Sequence, residues 1–123
     1  MKPYETLNVC GSEYHFKITA ANAVKLENEL DKDLISGLDR VAEIGILANY
    51  LYYAGVSLND SISTIDDVYT LIDDYITDGG SVEELQDFVV EVLYTSGILS
   101  QKMYDASKKF TGKQQDALQK LLN

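Results

Sequence analysis

The chain has 123 residues, 46% of them hydrophobic, and a formal net charge of −10. This is apolar content enough for one domain with its own core, and it excludes wholesale disorder. An excess of carboxylates on this scale also excludes a body built to grip nucleic acid or an anionic membrane, because phosphate binding needs clustered cations.

The charge is unevenly spread. Residues 1–40 carry five basic and seven acidic residues, Val41 to Gln101 carry eleven carboxylates and no Lys or Arg, and from Lys102 onward there are five Lys against two Asp. A short basic tail on an acidic body points to self-association or to a separately used binding segment.

The first predicted element is a hairpin. Thr6-Leu7-Asn8-Val9 and Tyr14-His15-Phe16-Lys17-Ile18 alternate apolar and polar residues around Cys10-Gly11-Ser12-Glu13, a pattern that reads as two strands and a turn. Tyr14, Phe16 and Ile18 share one face. A lone hairpin is marginal, so it must lie on the helical body or on a neighbouring subunit. The polar start Met1-Lys2-Pro3-Tyr4-Glu5 carries no signal-peptide pattern. With Cys10 as the single cysteine, a reducing, cytosolic setting is the expectation.

Helices follow. Thr19 caps one that runs to about Leu30 through Ala23 and Leu26. Lys32 to Leu38 forms a short second turn ended near Gly37, and Asp39 opens an apolar helix from Arg40 to Ala54. Its stripe is Val41, Ile44, Leu47, Ala48, Leu51 and Ala54, with Ile46, Tyr50 and Tyr53 on the other sides, so it belongs at the centre of the domain. Ile44 to Val56 is too short to span a bilayer.

Thr64, with Asp67 three residues on, caps a helix from Ile65 to Asp78 that turns Ile65, Val68, Ile72, Tyr75 and Ile76 inward and Asp66, Asp67, Asp73 and Asp74 outward. Gly79-Gly80 breaks the chain. Ser81-Val82-Glu83-Glu84 caps the next helix, which buries Val82, Leu85, Val89, Val92 and Leu93 and ends near Gly97. The tail has helical spacing at Met103, Ser107 and Phe110, and again at Leu118, Leu121 and Leu122. The expectation is a mainly α single domain of about five helices with an N-terminal β-hairpin: a hairpin arm over 1–18, a helical core over 19–98, and a basic tail over 99–123.

Catalytic chemistry finds little purchase. His15 is the only histidine and lies on the polar face of a strand, so neither a zinc site nor a Cys-His nucleophile is supported, and no cofactor or metal is expected. Asp74 to Leu85 fails as a calcium loop, because Ile76 and Leu85 fall where ligands are required. Asp60-Ser61-Ile62 has the look of the attachment site of an acyl carrier protein, but its spacing to the following helix is wrong. The nine Tyr are more informative. Tyr50, Tyr52, Tyr53 and Tyr69 mark a candidate protein-binding surface, since Tyr is enriched and charge is scarce where proteins meet. Tyr14, Phe16, Met103 and Phe110 are candidates for self-association, and a homo-oligomer is expected.

Read together, these pieces resemble the tail assembly chaperones of long-tailed phages and prophages of Gram-positive bacteria. The likeness lies in Gly11-Ser12-Glu13-Tyr14 with Phe16-Lys17-Ile18-Thr19 and Leu26-Glu27-Asn28-Glu29-Leu30. It continues in Asp66 to Ile76, Asp78-Gly79-Gly80-Ser81, Glu84-Leu85, Val89 to Leu93 and Ser96-Gly97-Ile98, covering roughly residues 6–100. The resemblance implies a non-enzymatic helper that coats the tape-measure protein, recruits tail-tube subunits, works in the cytoplasm of the bacterial host and leaves before the virion is complete. It also implies a longer form made by ribosomal slippage, for which Lys108-Lys109 or Gly112-Lys113 are the candidate sites. The competing expectation is an acidic helical phage regulator or nucleic-acid mimic that occupies a basic protein groove.

Overall fold

The computed structural model describes residues 2–107. Its architecture is mainly α: a two-stranded antiparallel hairpin, β1 (Glu5–Val9) and β2 (Ser12–Phe16), precedes helices α1 (Ala20–Leu30), α2 (Ile44–Gly55), α3 (Ile65–Thr77) and α4 (Val82–Thr95). A 3-10 turn over Ser36–Arg40 links α1 to α2. A fifth helix starts at residue 101 and is described to 107. Phe110, the two candidate slippage sites and most of the basic tail lie outside the described residues.

Within the expected turn segment Cys10 to Glu13, the turn itself sits at Cys10-Gly11, and Ser12 and Glu13 already belong to β2. Val9 pairs with Ser12, and both turn residues have positive φ, 51° and 82°. That is the mirror-image two-residue turn whose twist suits paired strands. The hairpin is packed into the body. Leu7, Val9, Phe16 and Ile18 are buried, and the Phe16 ring meets Phe88 of α4 edge-on with centroids 5.4 Å apart.

The uncharged α2 is the hub, in contact with α1, α3, α4 and β2. Leu47, Ala48, Tyr50, Leu51 and Ala54 point inward to Leu26 and Leu30 of α1, Val68, Leu71 and Ile72 of α3, and Leu85, Val89, Val92 and Leu93 of α4. Full burial of each such side chain is worth about 1.5–3 kcal/mol. Asn22 of α1 donates to the Tyr53 carbonyl (3.2 Å) and to Ser57 Oγ (3.1 Å), tying α1 to the end of α2.

The structure revises two boundaries. α2 begins at Ile44 and not at Arg40, because residues 34–40 wrap the tip of Tyr50. The Tyr50 hydroxyl donates to the Leu34 carbonyl at 2.6 Å, and a Cβ at Gly37 would lie 2.5 Å from that hydroxyl. The chain there must turn tightly, and Gly37 lies inside the 3-10 turn it was expected to end. In α3 the buried set is Val68, Leu71 and Ile72, with Tyr75 half-buried beside it. Its inner stripe is therefore centred on Leu71 as well, which leaves Ile76 44% exposed and not inward.

Both ends of α3 and the start of α4 follow their sequence signals. Thr64 and Asp67 form a reciprocal capping box at α3. Gly80 N–H bonds the Tyr75 carbonyl at 2.9 Å across Gly79, whose φ is +102°, so α3 closes with the left-handed glycine that this stop requires. Ser81 Oγ accepts from Glu84 N–H at 3.2 Å to start α4. The Glu84 carboxylate, meanwhile, accepts from the Tyr75 hydroxyl at 2.7 Å. Burial, followed by that carboxylate, pushes the Tyr75 phenol up to about 12.

Candidate functional site

The buried side of α2 leaves Gly45, Asn49 and Tyr52 on its outer side, spaced four and three residues apart and therefore in one stripe. Asn49 Nδ2 donates back to the Gly45 carbonyl at 2.9 Å, which spends its amide on the helix itself. The Tyr52 hydroxyl donates to the Ser63 carbonyl at 3.3 Å, and its ring meets Tyr53 edge-on at 5.0 Å between centroids. Both rings are half-buried. Burial pushes the Tyr53 phenol above its ordinary value, helped by the nearby charge of Glu29 on α1.

Tyr69 of α3 completes the surface. It is 38% exposed, and a Cβ at Gly45 would stand 3.9 Å from its hydroxyl, so the Tyr69 side chain reaches across to the start of α2. Exposed Asp66 and Asp73 stand three residues before and four residues after Tyr69, on the same side of α3. The outcome is a neutral, tyrosine-edged band along α2, bordered by carboxylates of α3 and by Glu29 of α1.

Such a band offers large rigid rings with polar tips and no charge to desolvate. This is the chemistry of a protein-contact surface. Among the described residues no group of three or more His, Cys, Asp or Glu could hold a metal ion. Among the described residues, too, no helix is long and apolar enough to cross a membrane.

Of the four expected contact tyrosines, Tyr52 and Tyr53 meet ring to edge and Tyr69 stands beside Gly45 at the other end of the same stripe, whereas Tyr50 is not at the surface. Tyr50 is fully buried, and burial raises its phenol well above the ordinary value. It is a core residue because its one polar atom is satisfied by Leu34. The self-association set also divides. Phe16 is fully buried against Phe88 and cannot meet a partner, Tyr14 is half-buried, and Met103 is 42% exposed. Phe110 lies outside the described residues.

Three features escaped the sequence reading. Asn59 grips the backbone of His15 from both sides: its Oδ1 accepts from His15 N–H at 2.9 Å, and its Nδ2 donates to the His15 carbonyl at 2.7 Å. The carboxylate of Asp78 accepts from Cys10 N–H at 3.0 Å and holds the hairpin turn against the end of α3. Tyr94 and Tyr104 stack at 4.3 Å and 9°, with Tyr104 bonded to Glu91 and Tyr94 to Gln101, so the fifth helix folds back along α4. Only the last had a faint signal, in its aromatic content. The thiol of Cys10 is exposed yet raised in pKa, by desolvation and then by Asp78 and Asp74, which makes it a poor nucleophile.

No family model, curated protein or solved structure matches the chain.

Proposed function

We propose that this protein is a non-enzymatic assembly chaperone of phage tails, which shields the apolar helices of a tape-measure protein and helps bring tail-tube subunits to it in the host cytoplasm. The observation that carries the reading is the neutral stripe of Gly45, Asn49 and Tyr52, with Tyr53 and Tyr69 beside it, on an otherwise strongly acidic body. An amphipathic helix laid along such a stripe buries its apolar side on the rings. The surrounding carboxylates keep the complex soluble and favour Lys or Arg on the helix's shoulders. The resemblance over roughly residues 6–100 supplies the biological setting.

The test is coexpression with the tape-measure protein of the same genome, followed by capture at low and high salt. Retention at high salt, with the partner soluble only when this chain is present, is the expected outcome. Retention that vanishes with salt would favour an acidic mimic of nucleic acid, whose binding rests on charge. Absence of retention at either salt would refute the chaperone reading.

A further inference from the structure

The two edges of the hairpin are treated differently. Val9 and Ser12 flank a two-residue turn and form a hydrogen-bonded pair, so the alternation along the ladder turns the amides and carbonyls of Glu13 and His15 on β2, and of Thr6 and Asn8 on β1, outward. The β2 edge is closed from His15 onward, and only the outward groups of Glu13, beside the turn, have no described partner. Asn59 takes both backbone groups of His15, and the Lys17 amide bonds the Ala54 carbonyl at 2.9 Å.

On β1, no described group outside the hairpin bonds the outward amides and carbonyls of Thr6 and Asn8. The open stretch is bounded: Tyr4 lies in a bend after Pro3, and the Cys10 amide is taken by Asp78. Glu5, a buried inward-facing carboxylate, guards the start of the strand, but the open stretch from Thr6 to Asn8 carries no such device. It has no Lys, no Pro and no bulge, and its exposed side chains are the short, neutral Thr6 and Asn8.

We propose that β1 is a dimerisation edge that pairs antiparallel with β1 of a second copy about a two-fold axis at Leu7. The choice of occupant follows from the spacing of the free groups. Thr6 and Asn8 are separated by one residue, so the two-fold sets Thr6 of each copy opposite Asn8 of the other. All four free amide and carbonyl pairs are then used. A shift of the axis by one residue in either direction pairs one of them with the bent Tyr4 or with the occupied Cys10. The chosen register places no like charges opposite each other, because Glu5 faces Val9 and Leu7 faces Leu7. The contact is short and joins two bodies of −10 each, so the dimer is weak and tightens with added salt as repulsion is screened. This inference does not depend on the phage reading.

Sedimentation equilibrium of the full chain, across protein concentration and at low and high salt, tests it with three variants. Thr6→Lys/Asn8→Lys places lysines opposite each other in both symmetric pairs and raises the dimer dissociation constant about ten-fold or more. It does so although it lowers the net charge. Thr6→Lys/Asn8→Asp converts the same pairs to opposite charges and restores dimerisation to the wild-type level or beyond. Asn8→Pro removes only an outward amide and gives a folded monomer, with circular dichroism as the check on folding. A chain that stays monomeric at high concentration and high salt, or a dimer indifferent to both lysine and proline changes, would overturn the proposal. The lysine pair on its own decides the matter if the proline variant fails to fold.

Discussion

Tyr50 and Tyr69 show how little the residue type decides. Tyr50 is wholly enclosed because Leu34 offers a carbonyl to its hydroxyl, and Tyr69, on the neighbouring helix, keeps more than a third of its surface in water. Removing the Tyr50 hydroxyl leaves that carbonyl buried and unpaired, so Tyr50→Phe should cost about 1–3 kcal/mol in chemical denaturation. The same change should leave partner binding untouched, since the ring never reaches the surface. The sequence separates these two tyrosines only in part. Tyr69 falls outside the inward set of its amphipathic helix, whereas on the uncharged α2 most sides are apolar, and only the path of residues 34–40 around its hydroxyl places Tyr50 in the core. Tyr52 and Tyr53 are intermediate, which fits the dual character of the side chain.

At the scale of elements, the caps and breaks were legible because they are local. Thr64 with Asp67, Ser81 with Glu84, and the glycines at 79, 80 and 97 act through bonds spanning only a few residues. Asp67 accepts from the amides of Ser63 and Thr64 at 2.8 and 3.0 Å, and these bonds hold its carboxyl below the ordinary value of 3.8. A group that binds its proton less readily when folded stabilises the fold above its ordinary pKa and loses that effect as pH falls through the lower folded value. Asp67→Ala should therefore melt below the wild type at pH 7, and the gap should close as the pH drops below about 4. Thermal scans from pH 7 to pH 2.5 check this; a gap constant with pH would mean that Asp67 acts through packing.

The Asn59 clamp was not legible, because it joins residues 44 positions apart in sequence. Asn59→Ala strips both partners from His15 and should cost about 1–3 kcal/mol in denaturant unfolding. It should also open the β2 edge to exchange, read as faster amide exchange at His15. The start of α2 was misplaced for a related reason: the period of apolar residues runs smoothly through Arg40 to Ile44, and only the tertiary contact of Tyr50 with Leu34 turns that stretch into a tight turn.

For the molecule as a whole, the mainly helical plan and the seating of α2 at its centre could be read from period and charge alone. The use of its outer side could not, because a stripe of Gly, Asn and Tyr looks the same in sequence whether it is edge or interface. Gly45 gives a direct handle on it. It is exposed in the first turn of α2, where Glu is a better helix former by about 0.5–1 kcal/mol and suits the helix dipole. Gly45→Glu should thus stabilise the fold while placing a charge in the neutral band. The most direct test of the account combines it with Tyr69→Ala and measures, on the same sample, the melting temperature and the affinity for a tape-measure helix by titration calorimetry. The account predicts a melting temperature at or above that of the wild type and a loss of affinity of at least about ten-fold, as expected on losing one aromatic anchor. Undiminished affinity in a stable variant would contradict it and move the binding surface away from α2.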